Sequence, residues 1–271
     1  MATTVSNALS PRTVWSPTPV MDFEELHDIV LNCTSVEQLK SVMRDYPYRY
    51  QKMAPKLYDM VHNNLTSLEL FSGDATISEQ LYEVGYKTET LDIRASMNPT
   101  ICVDFMEWDY KAAFKPGELD FLWASPDCKT WSVAACGHHR VPMTTKGVPN
   151  ADALRPKTEY AKLCDKMIIR LIEVIEYLKP RAWIIENPRG YLRHFPPMKE
   201  FTKRHHMTTV FYSNYDHKLV KPTDIWSSNY LWPSEKKKKV ESRVSIKTLN
   251  YDQDITTPYK LINKIFKKLD V

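Results

Sequence analysis

The sequence predicts an α/β fold: a mostly parallel sheet with helices on both faces, preceded by a small N-terminal helical extension. Three observations predict it. From residue 66 onward, short apolar runs alternate with stretches of helical period. Runs this short, separated by helices, mean a mostly parallel sheet covered on both faces. Finally, 271 residues, 43% hydrophobic and 26% charged, suffice for a sizeable core in one domain with an appendage.

Residues 1–20 are rich in Ser, Thr and Pro and read as a flexible tail. Residues 21–64 read as a helical extension. Asp22 can cap a first helix. A second starts near Ser35 with Val36, Leu39, Val42 and Met43 on one face, and a third covers Leu57, Met60 and Val61. The main domain, 65–271, opens with a strand at 67–71, Gly73, and an amphipathic helix at 76–84. Strands follow at 88–93, 100–103 and 119–124. A long helix at 157–178 ends before Pro180 and leads to a fifth strand at 181–185. Residues 137–156 read as a loop placed to act as a lid or to touch a substrate.

Sheets of this kind bind ligands beyond the carboxyl ends of their strands. The first strand ends Glu69-Leu70-Phe71-Ser72-Gly73, where glycine permits close backbone approach. The second ends at Asp92-Ile93, with a carboxylate suited to ribose hydroxyls. The third ends at Asp104-Phe105, a carboxylate beside an aromatic face that suits an adenine amine. Three carboxylates in register at successive strand ends point to a nucleoside cofactor. No Gly-Lys-Ser/Thr phosphate loop follows the first strand.

The fourth strand runs into Pro126-Asp127-Cys128-Lys129-Thr130-Trp131-Ser132, placing a thiol on a strand-end loop where it can act as nucleophile. The fifth ends Glu186-Asn187-Pro188-Arg189-Gly190, placing a carboxylate at the edge of a dry site, where it can share a proton. Of the five cysteines, Cys33, Cys102, Cys136 and Cys164 read as small buried hydrophobes. They show no metal-ligand spacing. His138-His139 and His205-His206, read as strand neighbours facing opposite ways, are not expected to hold a metal.

From Ser67 to Leu192 the chain resembles the C5-cytosine DNA methyltransferase family. The carriers are Glu69 to Gly73, Asp92, Asp104-Phe105, the Pro126-to-Ser132 loop, and the helix, Pro180, strand and Glu186-Asn187 succession. Tyr212-Ser213-Asn214-Tyr215 and Lys221-Pro222-Thr223-Asp224-Ile225-Trp226 resemble short viral and phage-type members, and Thr257-Pro258 resembles the last family motif. The resemblance implies a Rossmann-like S-adenosylmethionine-dependent methyltransferase fold. It implies Cys128 as nucleophile, Glu186 as its acid partner, and Asn187 and Lys221 as groups that hold the base. It also implies cofactor contacts from Glu69, Phe71, Ser72, Gly73, Asp92, Ile93, Asp104, Phe105, Pro126 and Thr257. The implied substrate is DNA, with the target base flipped out of the helix.

The chain departs from the family at Asp127, Lys129 and Pro188, and has Lys221 where arginine is usual. A carboxylate beside the thiol slows attack unless it is neutralised. Only residues 227–254 stand where recognising members insert a large region, so low sequence specificity, or recognition borrowed from a protein partner or a second copy, is expected. Other readings remain: the same chemistry on RNA or a free nucleotide, or an inactive nucleic-acid-binding homologue. A nicotinamide oxidoreductase is disfavoured, since Gly-x-Gly-x-x-Gly is absent.

The net charge of +4 permits a nucleic-acid partner without demanding one. Arg189, Arg193 and the run Lys236 to Lys239 are candidates for holding its backbone, and four more lysines lie between Lys260 and Lys268. No apolar run reaches the ~18–20 residues of a membrane helix, and nothing at the start reads as a signal peptide. An intracellular setting is expected.

Overall fold

A computed structural model describes residues 29–46, 65–133, 136–237 and 256–269, together with Lys52, Ala54, Pro55 and Tyr58. The expected tail, the start of the helix capped by Asp22, the helix around Leu57 to Val61, and residues 238–254 lie outside the described residues, while residues 29–31 of that first helix are helical. The chain divides into two compact units, 1–63 and 64–271.

In the first unit, Ser35 caps the helix Val36–Val42 by accepting from the Gln38 amide at 3.1 Å. Leu39 and Met43 are buried with Val30, Cys33 and Ala54. Val42, expected on that face, is exposed instead. The helix is only two turns long, and its inward face narrows to Leu39 and Met43.

The second unit holds a seven-stranded sheet: β1 (Thr66–Leu70), β2 (Lys87–Asp92), β3 (Ile101–Cys102), β4 (Phe121–Ala124), β7 (Ala182–Pro188), β8 (His206–Phe211) and β9 (Pro222–Ser227). The spatial order is β3-β2-β1-β4-β7-β9-β8. Strands β3, β2, β1, β4 and β7 pair in parallel, and β9 inserts antiparallel between β7 and β8. This is the Rossmann-like fold the sequence predicts. Two strands went unread. β8 and β9 bury Thr208, Thr209, Thr223 and Asp224, and those polar residues break the apolar run that marks a core strand.

The central strands alternate which face each residue serves. Leu122 and Ala124 of β4 pack on one side with Leu171, Val174 and Leu178. Phe121 and Trp123 pack on the other with Leu261, Ile265 and Phe266. The first side is covered by the helix Glu159–Leu178, capped by Thr158 and closed by Lys179 in the left-handed region before Pro180. The second is covered by the helices Thr76–Glu83 and Tyr259–Leu269. The lysines near the C-terminus are thus the outer face of an amphipathic helix, and Lys260 and Lys264 pair with Asp216 and Glu235.

Residues 137–156 are not a plain loop. A short helix, Cys136–His139, is followed by a hairpin of β5 (Thr144–Thr145) and β6 (Val148–Pro149). The turn residues Lys146 and Gly147 both have positive φ, the requirement for a two-residue turn that matches strand twist. Asn150 pins it, donating to the Pro142 carbonyl at 2.6 Å. His138 and His139 therefore sit on a helix, with ring centroids 4.7 Å apart, rather than on a strand. Cys102, expected to be buried, is exposed because β3 is the sheet edge. Among the described residues no cluster of His, Cys, Asp or Glu could hold a metal, and no helix is long and apolar enough to cross a membrane.

Candidate active site

The carboxyl ends of β1, β4 and β7 open into one cleft of about 380 Å³. Its walls include Glu69, Phe71, Ser72 and Gly73 from the first loop, Pro126, Asp127 and Cys128 from the second, Glu186 and Pro188 from the third, and Lys221 and Thr257 from further along the chain.

The first loop is conformationally unusual. Phe71 and Ala75, neither of them glycine, take positive φ, as does Gly73. Such backbone is costly and concentrates where a ligand must be approached. Glu69 is buried and accepts from the Ser78 amide at 2.8 Å and from its hydroxyl at 2.5 Å, tying the loop to the helix behind it. Burial raises its pKa to about 7, against the pull of the Ser78 hydrogen bonds. Ser72 Oγ is buried on the cleft wall with no hydrogen-bond partner. An orphaned hydroxyl beside an aromatic wall and a glycine, in a cleft of this volume, fits a nucleoside-sized ligand.

Four of the expected cofactor residues stand apart from that wall. Asp92 lies beneath it, accepting from the Gly73 amide at 2.9 Å and paired with Arg94 at 3.1 Å. Burial pushes its carboxyl up, but the Arg94 and Gly73 hydrogen bonds prevail and hold it below the usual range. Arg94 itself lines the cleft. Ile93 is 62% exposed. Asp104 is exposed and caps its own turn through the Met106 amide at 2.8 Å, while Phe105 is buried behind Phe71 with ring centroids 4.8 Å apart.

At the other end, Cys128 is half-buried. Burial pushes its thiol up, as do the charges of Glu186 and Asp127, and Lys221 pulls it down. Asp127 is held on both oxygens, by the Lys129 amide and by the Tyr160 hydroxyl, each at 2.6 Å. The Lys129 ammonium lies 3.9 Å away, too exposed for strong compensation. Asp127→Asn removes one of the two carboxylates facing the thiol, so the thiol titrates at lower pH and more of it is thiolate at pH 8. Alkylation of Cys128 by iodoacetamide is then expected to speed up about three- to tenfold. The rate is read by peptide mass mapping, because Cys102 is also exposed. An unchanged rate would mean that Tyr160 and Lys129 already cancel the Asp127 charge.

Glu186 is buried and accepts from the Tyr212 hydroxyl at 3.0 Å, with the Lys221 ammonium 3.9 Å from the same oxygen. Asn187 does not reach the cleft. It is buried and donates to the Pro126 carbonyl at 2.8 Å, fastening the nucleophile loop to β7. Gly190 fastens the same loop further on, since a Cβ there would lie 2.4 Å from the Trp131 carbonyl oxygen. Arg193, expected to contact nucleic acid, is instead committed to the buried Asp224 through a two-pronged pair. Arg189 is exposed.

Sequence reading missed Arg140, Tyr160 and the part played by Tyr212. Arg140 is fully buried, its guanidinium stacked on Trp131 at 3.3 Å and bonded to the Thr130 carbonyl at 3.0 Å. An arginine between two histidines and a Val-Pro gives no sign of burial. Tyr160 had a weak signal, as a tyrosine one residue into a helix that starts beside the site.

No family model matches the chain. A curated relative, "Probable DNA (cytosine-5)-methyltransferase" of Frog virus 3 (isolate Goorha), is 31% identical over 163 residues, covering 59% of this chain and 69% of the relative. Among solved structures, a methyltransferase of Entamoeba histolytica superposes with a TM-score of 0.44 at 11% identity, over 67% of this chain and 61% of that one. A "putative DNA modification methyltransferase encoded within prophage" of E. coli superposes with a TM-score of 0.42 at 12% identity, over 60% of this chain and 46% of that one. The chain thus spans about half to three fifths of those two structures. The match to the viral relative, at 31% identity over more than two thirds of its length, shows that this chain belongs to the DNA (cytosine-5)-methyltransferase family.

Proposed function

We propose that residues 65–271 transfer a methyl group from S-adenosylmethionine to C5 of a cytosine in DNA, through a covalent adduct on Cys128. The observation that carries this is the convergence of Cys128, Glu186 and Lys221 on the same cleft as the unpartnered Ser72 hydroxyl and the Glu69-to-Gly73 loop. One end suits a nucleoside cofactor and the other suits a planar base.

When bound, S-adenosylmethionine supplies an electrophilic methyl on a sulfonium. The residues do the rest. Cys128 Sγ, as thiolate, adds to C6 of the cytosine, and the ring electron pair shifts to C5. Glu186 holds a proton at N3 and neutralises the charge that develops there. Lys221, on the cleft wall beside Glu186, polarises O2. After C5 has taken the methyl, the C5 proton leaves to solvent. The C6–S bond then breaks, the electron pair returns to Cys128 as thiolate, and the proton at N3 goes back to Glu186. Asn187 positions the nucleophile loop through Pro126. Glu69, Phe71, Ser72, Gly73, Pro126 and Thr257 would hold the cofactor, with Asp92 and Phe105 bracing that end from behind. The base enters by flipping out of the duplex, since a stacked cytosine cannot reach a strand-end cleft. With only residues 227–254 in the recognition position, the enzyme has low sequence specificity.

The test is transfer of labelled methyl from S-adenosylmethionine to unmodified duplex DNA, followed by digestion to nucleosides. Label in 5-methylcytosine is expected. Label only in RNA or free nucleotide, or none while the cofactor still binds, overturns the proposal.

A further inference from the structure

We propose that Tyr212 is a positioning residue for Glu186, holding one carboxylate oxygen so that the other faces the base, and that Thr257 anchors it from the C-terminal segment. The inference rests on the cytosine methyltransferase reading above and adds a residue to that site.

The phenol of Tyr212 is fully buried, 3.0 Å from Glu186 Oε1 and 3.1 Å from Thr257 Oγ1, with the Thr223 side chain also against it. Burial and the neighbouring Glu186 charge raise its pKa well above the ordinary tyrosine value, so the hydroxyl stays protonated. A protonated phenol facing a carboxylate can only donate to it. Lys221 stacks its ammonium 4.7 Å from the Tyr212 ring centroid and reaches the same Glu186 oxygen at 3.9 Å. The Tyr212 hydroxyl thus donates to Oε1, with the Lys221 charge near the same oxygen, which leaves Oε2 for the substrate.

The placement has a structural reason. Tyr212 opens the one-turn 3-10 segment Tyr212–Tyr215 that ends β8, and its amide donates to the Lys221 carbonyl just before β9. The ring is therefore fixed by two strands of the sheet and by His217, at 5.5 Å between centroids. Thr257 stands two residues before the helix Tyr259–Leu269, whose apolar face is buried in the sheet's second core. A carboxylate on a free rotor would sample several orientations. One tied through Tyr212 to the sheet and to the C-terminal helix has a single orientation, which acid–base work on a ring nitrogen requires.

The experiment compares wild type, Tyr212→Phe, Glu186→Gln and the double variant in full-length protein. Methyl transfer to duplex DNA is read as kcat and KM. Covalent capture on duplex carrying 5-fluorocytosine is read on a denaturing gel, because fluorine cannot leave C5 as the proton does. Tyr212→Phe is expected to lower kcat and the capture rate about tenfold, with KM for S-adenosylmethionine unchanged within about twofold. In the Glu186→Gln background it is expected to do nothing further, because it acts through that carboxylate. Wild-type kcat in Tyr212→Phe, or the same loss in both backgrounds, overturns the inference and leaves the methyltransferase reading standing. No transfer by the wild type overturns that reading instead. Should Phe at this buried position lower the melting temperature by more than a few degrees, Thr257→Val reads the same linkage. A kcat loss that vanishes in the Glu186→Gln background supports it, and an unchanged kcat overturns it.

Discussion

Cys128→Ala is expected to abolish methyl transfer, by about 10⁴-fold or more, which corresponds to ~5 kcal/mol of lost transition-state stabilisation. C5 of cytosine is a poor nucleophile until a thiolate has added at C6, so the loss falls on the chemical step. Cofactor affinity is expected to stay within about twofold, because Ser72 and Gly73 are on a different loop. Stability is expected to change by less than ~1 kcal/mol, since the half-buried side chain loses a single atom. The measurement is labelled methyl in 5-methylcytosine beside equilibrium binding of S-adenosylmethionine. An alanine variant that keeps a tenth of wild-type turnover would remove the covalent adduct from the mechanism. The wild type carries its own signature in pH. Burial, Glu186 and Asp127 hold the thiol protonated beyond its ordinary value. The thiolate fraction, and with it kcat/KM, should therefore climb through pH 7 to 9 rather than level off below neutrality.

Cys128 and Glu186 were legible because each belongs to the carboxyl end of an apolar central strand, Cys128 on the loop after β4 and Glu186 within β7. A parallel sheet leaves few other places for chemistry. Of the sheet's strands, β1, β2, β3, β4 and β7 were legible as short apolar runs separated by helical stretches. What could not be read was whatever depends on partners distant in sequence. Asp224 is a core residue only because Arg193 and Thr209 satisfy it. Its strand therefore looks too polar to be buried. Asp92 reads as a ribose ligand until Arg94, two residues on, is found folded back onto it. Asn187 reads as part of a catalytic pair, yet its amide is spent on a carbonyl 61 residues away. The hydroxyl of Tyr212 reaches Glu186 and Thr257, 26 and 45 residues off, and no local pattern announces such a meeting.

Arg140→Met is the variant in which structure and chemistry should fail together. The Arg140 guanidinium serves the Thr130 carbonyl at 3.0 Å, the Thr130 hydroxyl at 3.1 Å, the Leu154 carbonyl at 3.2 Å and the Ala161 carbonyl at 3.3 Å. It also pairs with Asp165 at 2.7 Å and lies flat on Trp131. Methionine fills much of the volume and supplies none of the donors. Each buried acceptor left without a partner costs ~1–3 kcal/mol. Removing one member of a buried ion pair costs ~3–5 kcal/mol. Relaxation and water entry recover part of that sum, so a loss of about 4 kcal/mol is expected, a large fraction of a typical 5–15 kcal/mol stability. At ~2–4 °C per kcal/mol for a domain of this size, the melting temperature should fall by roughly 10 °C. Lysine is not a rescue, because one ammonium can neither fork to four acceptors nor stack on an indole. Asp165→Asn keeps an acceptor in place but leaves the buried Arg140 charge without its counter-ion, so it should also cost ~3 kcal/mol. The catalytic consequence follows from position. Thr130 and Trp131 come two and three residues after Cys128, and Gly190 and Tyr191 hold the Trp131 carbonyl from the other side. With Arg140 gone the nucleophile loop is held on one side only, and turnover at 20 °C, where the variant remains folded, should fall at least tenfold. Urea unfolding and methyl transfer at that temperature read both effects. A Met variant within ~1 kcal/mol of wild type would mean that the loop is fixed by Asn187 and Gly190 alone.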